Sequence, residues 1–261
     1  MAGAVALVLA SLVSFALDAG AQSGGGKNGI SVVQVEGLLD PPTASLLKNA
    51  IENANEQRRT MLVIQFNSRG AVDVDVQELV RAITHSKVPV IAWAGPSGGE
   101  AKGAATLLLQ ASHKAFVANG ASVGPGDPLR LDQPDDPSTT AVAAQLGRLA
   151  ERNGRDREGA AKLARNRLSP AEAKAVGAVD GVRPTLGEVV VSMDGKTVTT
   201  AAGEHTLNTA KVIGEGRDRR RQPNQDVVFD GMGLGAQVQH RLIRPSVAYF
   251  LFVAGLALIV F

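Results

Sequence analysis

The sequence predicts an α/β fold wound on a parallel sheet. Three observations carry this reading. From Ile30 to Ala118, apolar β-branched runs of strand length alternate with segments of helical periodicity. The 261 residues are 44% hydrophobic and 20% charged, the balance of a chain with one sizeable core. No cysteine is present, so packing rather than a disulfide framework must hold the chain. The aromatics are seven Phe, one Tyr and one Trp, and several lie in the two apolar ends, so the predicted core is aliphatic and alanine-rich.

The first element, Ile30 to Glu36, is a β-branched run broken at Gly37 to Pro42, where Asp40 or Thr43 is placed to cap a helix. Thr43 to Gln57 is that helix, with Leu46, Leu47, Ala50, Ile51 and Ala54 on its inner face. Met61 to Phe66 reads as a buried strand. Val74 to Ser86 reads as a helix packed through Val76, Leu79, Val80 and Ile83. Val88 to Ala94 is a strand, Glu100 to His113 an apolar helix, and Ala115 to Ala118 a strand, which is βαβ winding. Gly124 to Thr140 carries Pro125, Pro128, Pro134 and Pro137 and is a long surface loop. Ala141 to Asn153, Arg157 to Asn166 and Ser169 to Val176 are helices, the last with a Ser169/Glu172 capping box and Gly177 behind it. Lys196 to Thr200 and His205 to Leu207 form a small hairpin around Gly203.

Both ends point to a membrane. Residues 1–21 read as a secretory signal: an apolar run to Leu17, then Ala19-Gly20-Ala21, small residues that suit leader cleavage. An uncleaved N-terminal helix is the other reading, since a basic leader start is missing, and either one exports the domain behind it. Residues 22–29 are a linker, 30–181 the main domain, 182–213 a small β appendage and 214–246 a premembrane linker containing the basic run Arg217 to Arg221. Residues 247–261 carry no charge but at 1.5 Å per residue span only roughly 22 Å, a truncated anchor against a core of about 30 Å. The expected arrangement is a membrane-anchored chain with its soluble domain extracytoplasmic. Arg241 and Arg244 flank the span on the outer side, against the positive-inside tendency.

Five segments then carry a resemblance. They are Val33-Gln-Val-Glu-Gly37 with Asp40-Pro41, Pro89 to Gly98, Val117 to Gly124, Leu168 to Asp180, and Arg244 to Tyr249. In this order they resemble the NfeD family of membrane-bound, ClpP-class proteins. The resemblance implies a ClpP/crotonase-like superhelical fold of ββα units, a homodimer or higher homo-oligomer, and a stomatin-like membrane protein or its apolar peptide as partner. Active members resemble serine proteases with a Ser-Lys dyad, whose lysine must be neutral to take the serine proton. The family's nucleophile position matches Gly103 and its lysine position Asn166, so both halves of the dyad are substituted. A shift of one residue brings Lys102, Arg165 or Arg167 to these positions but supplies no serine. The oxyanion hole needs only backbone N–H groups, and Gly70, Ala71 and Ala104 are its candidates for gripping a peptide carbonyl.

Ser97 and Lys162 are the candidate substitutes for the dyad; the alternative is that Ser97 shapes a turn and Lys162 is solvated. Gly95 to Gly103 lacks the spacing of a phosphate loop, and Gly231 to Ala236 has dinucleotide-like glycines without a βαβ unit. His85, His113, His205 and His240 are scattered, so neither metal nor cofactor is expected. A formal charge of +2 gives no reason to expect nucleic acid. The expected function is a membrane-anchored scaffold or regulator that binds peptide at a degenerate protease site. The alternative is a membrane-bound serine endopeptidase that cleaves apolar peptides.

Overall fold

The structure, a computed structural model, describes residues 29–214 and 219–230. The expected signal and anchor, the glycines from Gly231 to Ala236, and His240 lie outside the described residues. Among the described residues no helix is long and apolar enough to cross a membrane.

β1 (Ile30–Leu39) runs three residues past its expected end at Glu36, into the expected break, with a bulge between Gly37 and Leu38. Asp40 then caps α1 (Pro41–Glu56), its carboxylate accepting from the Thr43 backbone N–H at 3.0 Å. β2 (Met61–Ala71) pairs in parallel with β1 along its length. α2 (Val76–Thr84) buries Val76, Leu79, Val80 and Ile83, as the periodicity predicts. β3 (Val90–Ala94) comes next in the chain.

One expectation fails here. Glu100 to His113 is not a single helix: Glu100–Ala101 forms the short strand β4, and α3 occupies only Ala104–Ala111. The positive φ of Gly103 stops the helix from extending backwards. β5 (Lys114–Val117) and β6 (Ser122–Val123) come next, then α4 (Thr139–Arg152), α5 (Arg157–Lys162) and α6 (Pro170–Ala175) with the predicted capping box. β7 (Gly181–Val182) precedes a helix missing from the sequence reading, α7 (Leu186–Ser192), capped by the Thr185 side chain at the Glu188 N–H. β8 (Thr197–Thr200) and β9 (Gly203–Thr206) are the expected hairpin. β10 (Ala210–Ile213) and β11 (Arg220–Pro223) make a second one, which takes Arg220 and Arg221 out of the expected linker.

β12 (Val227–Asp230) also departs from the linker reading, because it returns to the main sheet and pairs in parallel with β1. The sheet order is β12-β1-β2-β3-β5-β7, with β4 bonded to β2 and β6. Its strand pairs are all parallel. The core is a single aliphatic cluster with many alanines, to which Phe66, Trp93 and Phe116 add their rings, while Phe229 is exposed. Parallel strands bring their C-terminal ends to one side of the sheet, so the ends of β2, β4 and β6 meet around the start of α3.

Candidate functional site

The strand-to-helix turn at Gly103 organises this end of the sheet. Ser68 of β2 pairs with Ala101 of β4, and the Lys102 N–H donates to the Ser68 carbonyl at 3.0 Å. Gly103 then sits at φ 55°, ψ −127°, and α3 starts behind it with every residue buried. A sharp turn of this kind is the backbone that lifts a nucleophile over a helix N-terminus in hydrolases. Glycine adopts it without strain and supplies no side chain.

The space in front of Gly103 is filled by the chain itself. A Cβ at Gly103 would stand 2.7 Å from the Pro128 carbonyl oxygen and 3.3 Å from that of Leu129. The Gly103 N–H donates to Pro125 O at 2.9 Å, and the Ala104 N–H donates to Leu129 O at 3.1 Å. Leu131 N–H donates to Ala71 O at 2.8 Å, and Arg130 forms a parallel bridge with Ala71. The Leu131 side chain covers Gly70, its Cγ 3.0 Å from where a Cβ would stand, yet remains 47% exposed. Gly70, Ala71 and Ala104 therefore do converge, and they converge on residues 129–131. A hollow of about 270 Å³ flanks the segment, lined in part by Val74, Val76, Leu129, Arg130 and Pro137.

Charge fastens both rims. Arg130 is bonded to Asp132, whose carboxylate also accepts from the Asp73 N–H at 3.3 Å. The hydrogen bond from Arg130 holds the Asp132 carboxyl down at about 2. On the other rim, Glu100 receives Arg69 Nε and Lys102 Nζ, each at 2.6 Å. Burial pushes the Glu100 carboxyl up, and its two cationic partners together outweigh that, leaving it below the usual carboxylate range.

The remaining sequence candidates make contacts of their own. Asn166 lies past the end of α5, which stops at Lys162 and not at Asn166 as the sequence reading has it, and donates its amide to Lys162 O at 2.8 Å. Asn166 and Lys162 share a hollow of about 290 Å³ with Thr139, Thr140 and Ala143, a lining that includes neither Gly103 nor Ser97. Ser97 is exposed in the turn before β4, packed against Gly120: a Cβ there would stand 2.7 Å from its Oγ. Among the described residues, no three His, Asp or Glu side chains are grouped to hold a metal. Leu129 and Leu131 are site residues that the motifs do not mark, although Leu129-Arg-Leu-Asp132 alternates like a strand within the proline-rich loop.

No family model matches the chain. Over 241 residues it is 25% identical to the membrane-bound protease PH1510 of Pyrococcus horikoshii, an alignment covering 88% of this chain and 52% of that protein. The chain is a homologue of PH1510. It spans about half the length of this curated relative. The fold agrees with the solved 1510-N structures. A lysine variant of this stomatin-specific protease in complex with a substrate peptide matches with a TM-score of 0.69 at 22% identity, over 82% of this chain and 97% of that one. The 1510-N protease from Pyrococcus horikoshii, specific for a stomatin homologue, matches with a TM-score of 0.65 at 22% identity, over 82% and 98%. A serine variant gives 0.64 at 24% identity, over 77% and 97%. The resemblance read from the five segments is thus met by homology to a membrane-bound protease and by a shared fold.

Proposed function

We propose that this chain is the peptide-engaging, protease-type module of a membrane-bound assembly, directed at an apolar segment of a stomatin-like protein. The homology to PH1510 favours a membrane-bound endopeptidase over a module that only holds its ligand. The observation that carries peptide engagement is the Ala104 N–H at the strand-to-helix turn, aimed at a peptide carbonyl and already bonded to one. In this reading residues 1–21 and 247–261 supply export and anchorage, the domain is extracytoplasmic, and copies of the chain associate.

A second reading, peptide binding without cleavage, is favoured by one specific observation. Residue 103 is glycine, and the Pro128 carbonyl stands where a side chain would project. Gly103 and Asn166 are then the vacated nucleophile and base positions, and any cleavage must use another group, with Ser97 first among the candidates.

Mass spectrometry of apolar peptides incubated with the full chain in detergent tests both readings, beside a Gly103→Ser, Asn166→Lys double variant. Cleavage by the parent chain that is lost in Ser97→Ala supports the endopeptidase. Cleavage by the double variant alone supports the holding reading and both site assignments. Cleavage by neither sinks those assignments.

A further inference from the structure

We infer that Pro128 to Leu131 is an internal occupant of the peptide groove, a segment of the chain that any peptide ligand must displace. The inference rests on the peptide-engaging reading above and adds a regulatory step to it. Its basis is the bonding pattern. An extended peptide bound at such a site would place one carbonyl on the Ala104 N–H and align its backbone with the end of β2. The chain does both within three residues: Leu129 O accepts from Ala104, and Leu131 N–H donates to Ala71 O.

The side chains obey the same logic. Leu129 is buried, Arg130 turns toward Asp132, and Leu131 lies over Gly70 while half in water. The occupant is therefore held by one buried leucine, a few backbone hydrogen bonds to the buried Ala71 and Ala104, and the part-exposed Arg130–Asp132–Asp73 fastening. Such a hold is releasable. Leu131 and Asp132 belong to no helix or strand, and a hollow lies beside Leu129 and Arg130. A ligand for a groove that is mostly occupied binds more weakly by the factor that measures the open fraction.

The experiment uses the full chain in detergent, a Leu131→Asp, Asp132→Ala double variant, and the labelled peptide acetyl-Pro-Leu-Arg-Leu-amide as probe. Hydrogen exchange at the Ala104 amide reports whether the segment is in place, and fluorescence anisotropy reports binding. The expected result is exchange at Ala104 faster by about tenfold or more in the variant, peptide affinity higher by a similar factor, and restored protection once peptide is bound. Should the double variant fail to fold, as judged by Trp93 emission, Asp132→Ala alone carries the comparison. Unchanged exchange at Ala104 in every variant overturns the inference, because the segment is then a fixed part of the fold. Faster exchange with equal peptide affinity in parent and variant overturns the competition but leaves peptide engagement standing. Faster exchange with no peptide binding overturns both.

Discussion

The Arg155 guanidinium, buried to 2% exposure, meets the Asp180 carboxylate at 3.0 Å and ties the α4–α5 connection to the start of β7. Its remaining N–H groups reach Gln110 Oε1 at 3.0 Å, Gln110 O at 2.7 Å and Ser112 O at 2.9 Å, at the C-terminal end of α3. Asp180 also takes Lys114 Nζ at 2.9 Å and the Ala115 N–H at 2.8 Å. Removing the carboxylate leaves a buried cation uncompensated. Asp180→Ala is expected to cost about 3 kcal/mol or more, measured by urea unfolding followed through Trp93, the one tryptophan in the chain.

His113 gives the fold a pH dependence. Its Nδ1 accepts from the Val90 N–H at 3.0 Å, and burial, aided by the charges of Arg152 and Arg155, lowers its pKa from 6.5 to about 4. Between these values the unfolded chain takes up a proton that the folded chain refuses. Stability therefore falls as pH drops through that window, by about 3 kcal/mol in all, and this contribution levels off below it. His113→Asn, which keeps an acceptor for Val90, is expected to flatten the unfolding midpoint between pH 6.5 and 4. An unchanged slope would locate the dependence elsewhere.

Gly103→Ala places a methyl against the Pro128 carbonyl at a backbone conformation that L-residues resist. The expected cost is about 1–3 kcal/mol in unfolding free energy. Faster exchange at the Gly103 and Ala104 amides should accompany it, as the 125–129 carbonyls are pushed off.

Glu100→Ala leaves Arg69 and Lys102 side by side without their shared carboxylate. A loss of about 1–2 kcal/mol is expected, small because Arg69 is largely in water. Glu100→Gln should retain part of this through hydrogen bonding. The parent's contribution from this group fades as pH falls through its lowered pKa, since protonation removes the charge that both cations address.

Much of the fold is legible in the sequence because amphipathic periodicity and caps are local. Asp40 and Ser169 cap the helices the sequence assigns to them, and the inner faces of α1 and α2 are the predicted ones. The misses have physical causes. An apolar run such as Glu100 to His113 looks the same whether strand or helix, and only the backbone at Gly103 divides it. α7 carries a readable signal, Thr185 three residues before Glu188, but the stretch is too short for periodicity to support it. β12 is short, and its pairing with β1 is a contact across nearly 200 residues of sequence, visible to no local pattern. The site divides in the same way. Gly70, Ala71 and Ala104 are candidates through the family resemblance, and the structure bonds Ala104 through its N–H but Ala71 through its carbonyl. That residues 128–131 fold back onto them is tertiary, and Asn166 is a candidate only through the resemblance, counted back from Leu168 and Ser169.

The parallel pairing of β12 with β1 has a mechanical consequence. Ile30 faces Val227 and Val33 faces Asp230, and the Ile30 N–H donates to Asp226 O at 2.9 Å. The first strand of the described domain and its last thus lie side by side and point the same way. A pull that draws Gly29 and Asp230 apart slides these strands lengthwise instead of peeling them, so the bonds between them are loaded together. Forced opening of a domain is governed by its unfolding rate. Tension between the two ends would then be resisted collectively at this seam before it reaches the turn at Gly103.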